Sequence, residues 1–206
     1  MYTQENSPEN DINQPADSNL GGASFKPLPS QSIALEAYKQ AAKAPLFDGF
    51  TESELKPLGD LVDRVCNTLG PDLSKPATLR NITDAYICAT KEAFASPDLE
   101  DLHTLIHYKA FKHFNPTESE TDLRQAARAE AKRLIAMAAP LLPQYEAHMK
   151  DLDAVLAAQG ISEDDALRGV LNQENFKAQL AGNLTIGDVF KTQPEIILGI
   201  HGQFQN

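Results

Sequence analysis

The chain has 206 residues, no Trp, only 2 Cys, and no Lys or Arg in its first 24 positions. Each shortage excludes something. Two cysteines, Cys66 and Cys88, cannot build a disulfide framework, which points to a reducing, cytoplasmic folding environment. The missing Trp removes one of the commonest interface anchors. No apolar run approaches the ~20 residues needed to span a bilayer, so no membrane span is expected. Met1 to Asn6 form neither a basic n-region nor an apolar h-region, so secretion, if it occurs, is expected to proceed without a cleavable signal peptide.

Cations are also scarce. Eighteen Lys and Arg face 29 Asp and Glu, a formal charge of −11. Nucleic-acid binding requires a basic surface to displace counterions from phosphates, so nucleic acid is not an expected partner. Anionic lipid is disfavoured for the same reason, whereas basic proteins are favoured. Hydrophobic content of 42% and charged content of 23% are ordinary for a globular protein.

What is present divides at a seam near residue 50. Residues 1–31 read as a flexible polar arm, because Asn, Gln, Ser, Pro, Asp and Glu bury too little apolar surface to offset ordering entropy. Within the arm, Phe25, Pro27, Leu28 and Pro29 form an apolar plug suited to a partner's groove. Residues 32–206 read as the helical domain, with a tether helix over 32–44 capped by Ser32 and the main body from about 51. Pro45 ends the tether. Thr51-Glu52-Ser53-Glu54 is a capping box preceded by Phe50 and followed by Leu55. Pro57 removes a helical donor, so 51–55 is expected to be a separate capped turn.

The body reads as consecutive helices. Over 57–69, Leu58, Leu61, Val62, Val65, Cys66 and Leu69 fall in one stripe. Helices follow over about 76–95 and 97–114. Thr117-x-x-Glu120 predicts a cap for an alanine-rich helix to about 139, whose small side chains suggest a central position. Pro140 and Pro143 bracket a kink before a helix over 144–159 that stops at Gly160. Ser162-x-x-Asp165 and Thr185-x-x-Asp188 are further caps, Gly182 a stop, and Thr192-Gln-Pro-Glu195 opens a last helix to about Gly202. The expected fold is all-α: one bundle-like domain of about six to eight helices with a flexible N-terminal arm.

Three groups carry candidate chemistry. His103 and His107 stand at i and i+4, a spacing that can share a metal ion. Thr104 occupies the place of a metalloprotease glutamate, and a third ligand must come from elsewhere, such as Glu146 or His148. Arg124, Arg128 and Lys132 recur every four residues and can grip an anion or an acidic partner; the alternative is a solvated face. Cys66 reads as a core residue and Cys88 as the more accessible thiol. No phosphate loop, nucleophile elbow, Cys-x-x-Cys or calcium loop occurs, so no cofactor is expected.

These features point to a non-enzymatic protein–protein interaction protein whose partner is another protein. In its Ser, Asn, Gln and Pro content the leader resembles the uncleaved leaders of specialised bacterial secretion systems, which implies a secreted effector. An assembly subunit whose arm threads over neighbours fits equally. The alternatives are an all-helical enzyme or metal-binding protein using His103 and His107, and an anion- or nucleic-acid-binding regulator using the Arg124 stripe.

Overall fold

A computed structural model describes residues 29–200 of the chain. They form an all-α single domain; their only extended pairing is an isolated antiparallel bridge between Pro76 and Thr185.

The sequence places a tether helix capped by Ser32, but helix α1 spans Pro29–Ala41, so it opens on the last proline of the apolar plug. Its Ala34, Ala37 and Ala41 are buried, so α1 belongs to the core. Three alanines on one face let its backbone come close to its neighbours. Ile33 and Tyr38 pack beside them, whereas Leu35 turns outward. A short 3₁₀ turn at Pro45–Phe47 then drives Phe47 into the core.

The seam is built as its residues dictate. The Thr51 N–H donates to Glu54 Oε2 at 3.0 Å, and the Glu54 N–H donates to Thr51 Oγ1 at 3.3 Å. Helix α2 then spans Lys56–Leu69, and the residues it buries are Leu58, Leu61, Val62, Val65, Cys66 and Leu69. Gly70, at φ 45°, ends it in a conformation that L side chains rarely adopt.

Helix α3, Leu79–Ala95, is capped by Thr78, whose side chain accepts from the Asn81 N–H. It buries Ile82, Ala85, Ile87 and Ala89, residues on more than one face, and is the central helix. The alanine-rich helix, expected at the centre, is peripheral. Helix α4, Leu99–Phe114, and helix α5, Glu120–Ala138, form a hairpin at one side of the body. Helix α5 buries only Leu123, Ala127 and Ala131, one residue per turn, because Arg124, Gln125, Arg128, Lys132 and Arg133 occupy its other faces. Its cap is Ser119, which accepts from the Asp122 N–H at 3.1 Å, two residues beyond the Thr117 read from the sequence. Residues 115–118 are used instead to reverse the chain between the two helices.

The segment expected as one helix over 144–159 is two: α6, Leu142–Lys150, and α7, Leu152–Gln159, broken at Asp151. Gly160, at φ 66°, stops α7. Helix α8, Glu163–Val170, is capped by Ser162, and helix α9, Gln173–Leu180, by Asn172. Helix α10, Ile186–Thr192, opens with a complete capping box between Thr185 and Asp188. Helix α11 spans Pro194–Leu198 and ends at Gly199 rather than running on to Gly202. These extra breaks account for more, shorter helices than the sequence count.

The last helices complete the core that the first one starts. Ile186, Val189, Phe190 and Ile197 are fully or almost fully buried, and α1 packs on both α10 and α2. Gly187 marks a close approach of α1 to α10. A Cβ there would stand 3.0 Å from Ile33 Cδ1 and 3.1 Å from the Leu73 carbonyl oxygen. The side chain can yield more easily than the backbone carbonyl. Gly187→Ala should therefore lower stability by about 1–3 kcal/mol, or about 2–4 °C in Tm per kcal/mol. An unchanged melting temperature would show that α1 does not sit this close.

Candidate partner-binding surfaces

The cationic stripe faces carboxylates. Arg124 Nη2 lies 3.0 Å from Glu54 Oε1 and 2.9 Å from Glu120 Oε1, and its guanidinium stacks 4.3 Å from the Tyr108 ring centroid. Arg128 pairs with Glu100 at 3.2 Å and with Asp101, and Lys132 stands 3.6 Å from Glu100. The stripe thus runs as a ladder from α5 to α4 and to the seam turn. Its hydrogen bonds from Thr51 and Arg124 hold the Glu54 carboxyl below its usual range. Beneath Arg124, Tyr108, Leu123 and Ala127 form a small second core to which Phe50 and Phe111 contribute. An open groove of about 650 Å³ lies beside the ladder, lined by Glu54, Asp60, Asp101, Arg124 and Arg128.

His103 and His107 do share a face of α4. Their rings stack with centroids 6.1 Å apart, and the buried His107 Nε2 has no hydrogen-bond partner. Among the described residues, no group of three or more His, Cys, Asp or Glu is placed to hold a metal ion. Glu146, one of the third ligands considered, pairs instead with Lys91 at 2.7 Å and Lys150 at 2.6 Å. Burial is the main cause lowering the pKa of both histidines. For His103 the neighbouring His107 adds to it; for His107, Arg133 adds and Glu130 opposes. Both rings are therefore held neutral at neutral pH.

Cys66 is buried and its Sγ–H donates to the Ser30 carbonyl oxygen at 3.0 Å. Desolvation, with Asp63 nearby, pushes its thiol up to about 11. Cys88 is half-buried, with its thiol raised in the same direction. Of the apolar plug, Phe25, Pro27 and Leu28 lie outside the described residues, and Pro29 opens α1.

The sequence did not single out the exposed apolar surface around α6 and α7. Helices α6 and α7 contain no buried residue. Leu141 is 56% exposed, Met137 58% and Ile161 39%, and Tyr145, which meets Tyr86 edge-on at 6.1 Å, is 38% exposed. Helix α6 lies along α3, held by the Lys91–Glu146 pair and by Arg80 Nη1 donating to the Lys150 carbonyl. Only Leu152 and Leu156 of α7 lean on the main core. The sequence signal for this surface is α7 itself, six of whose eight residues are apolar. Among the described residues, no helix is long and apolar enough to cross a membrane. No protein-family model matches the chain, and neither a curated protein nor a solved structure matches it.

Two measurements follow from this geometry. With a thiol label, Cys88 should react before Cys66 in the native protein; faster labelling of Cys66 would mean that its helix opens. The histidine pair should make stability fall with acid. Below the ordinary imidazole value of 6.5 the unfolded chain binds protons that the folded pair resists, so stability is lost as pH drops from there. The urea midpoint should fall more between pH 7.5 and 5.5 in the native chain than in His103→Gln/His107→Gln, as read by circular dichroism. Equal pH slopes in the two proteins would contradict the placement of the pair.

Proposed function

We propose that this is a non-enzymatic protein–protein interaction protein. The observation that carries the reading is the unburied apolar segment Leu142–Gln159 with its neighbours Met137, Leu141 and Ile161. Large apolar side chains left in water cost roughly 25 cal/mol per Å², so several of them in one stretch of chain suit a surface that is covered in use. The paired state of the Arg124 ladder also supports this reading over an anion regulator, since each of its cations already faces a carboxylate. Either a bacterial secreted effector or an assembly subunit would use such a surface, with Phe25, Pro27, Leu28 and Pro29 of the arm as a second contact.

Site-specific photocrosslinking in the native cell tests the proposal. A photoreactive phenylalanine at position 141 or 25 should give a discrete adduct with another protein. The same group at Arg64, on the exposed polar face of α2, should give none. Absence of adducts at both 141 and 25 would remove the proposal.

A further inference from the structure

We infer that the outer face of α6 and α7 receives a basic amphipathic helix of another protein; this rests on the interaction reading above and specifies its partner. The floor of the surface is small. Ala154, Ala157 and Ala158 are exposed on α7 at helical spacing, so a second helix can approach closely. Larger exposed side chains stand at both ends, Leu141 upstream and Ile161 downstream. Helix α7 alone is eight residues long, about 12 Å at ~1.5 Å per residue, so a partner helix of three turns or more spans it.

Along α7 and the first turn of α8 the charge has one sign, and the next cation, Arg168, stacks on Phe176. From Asp151 to Leu167 the chain carries five carboxylates, Asp151, Asp153, Glu163, Asp164 and Asp165, and no Lys or Arg. All five are exposed, and none makes an ion pair among the described residues. Glu163 and Asp165 accept hydrogen bonds from Leu79 and Ser162 but keep their charge uncompensated. The cations bordering the upstream end are engaged, Lys150 by Glu146 and Arg80 by Asp84. An apolar floor rimmed by unpaired carboxylates selects a ligand that is apolar on one side and cationic at its edges. A second copy of this chain would bring five like charges to the same rim. An anionic membrane or a nucleic acid has the same wrong sign.

The full chain can be titrated with a fluorescein-labelled amphipathic helix of about 18 residues built from Leu and Lys, and with the same helix carrying Glu in place of Lys. The Leu/Lys helix should bind and the Leu/Glu helix should not. Salt of about 0.5 M should weaken the complex. Ala154→Arg/Ala158→Arg, at exposed positions that keep helix-forming residues, should weaken it by at least about tenfold. Asn67→Arg/Thr68→Arg adds the same charge on α2 and should change it by less than about twofold. Equal weakening by the two pairs would place binding on net charge alone and overturn the inference. So would self-association of the native chain that Ala154→Arg/Ala158→Arg abolishes, since the occupant would then be a second copy. If position 141 crosslinks in the cell while the Leu/Lys helix fails to bind, the partner chemistry is wrong and the interaction reading stands.

Discussion

The fold depends on one close approach, α1 against α10 at Gly187. Without a Cβ at 187, Ile33 and the Leu73 carbonyl can both sit against the same backbone. That approach seats Ala34 and Ala37 over α10 and α2, and it brings Phe190 and Ile197 under α1 into the core of α2 and α3. The glycine on α10 makes room for the Ile33 side chain of α1, while the α1 alanines keep the rest of its buried face small. Packing of this density tolerates little added volume, which is why so small a residue matters.

A second, weaker organisation holds the α4–α5 hairpin to this core. Its own apolar centre is a handful of residues around Tyr108 and Leu123. Electrostatics complement it. Arg124 joins three things at once: the ring of Tyr108, Glu120 of its own helix, and Glu54 of the seam turn. Individual exposed ion pairs contribute little, about 0–1 kcal/mol, but here one guanidinium is stacked, bridged and tied to a capping box. The residues that fix the chain's turn at the seam therefore also fix how the hairpin docks.

Much of the fold was legible because its signals are local. The α2 stripe, the boxes at Thr51 and Thr185, the cap at Ser162 and the stops at Gly160 and Gly182 each involve residues within a few positions of one another. What was not legible depended on partners distant in sequence. The alanines of α5 read as central because small residues permit close packing, but permission is not contact; α4 packs on one face of α5, and the rest of the helix is largely exposed apart from contacts with the seam. The cap read at Thr117 lies at Ser119 because the residues between them are used to reverse the chain after Phe114. The apolar residues of α6 and α7 have a proper helical pattern, and no pattern shows whether a neighbour exists to bury them. The His103–His107 spacing was likewise readable, whereas the missing third ligand was not.

The pairing of α1 with α10 has a consequence for synthesis. Ile33 and Gly187 are separated by 187 − 33 = 154 positions, and everything between them is made before they can meet. At roughly 5–20 residues per second, α1 can already pack on α2 but waits about 8–30 s for α10. The α4–α5 hairpin, by contrast, joins neighbours in sequence and can form while the chain is still emerging. The domain is thus assembled from the side inward, and its first helix is among the last to be locked in place.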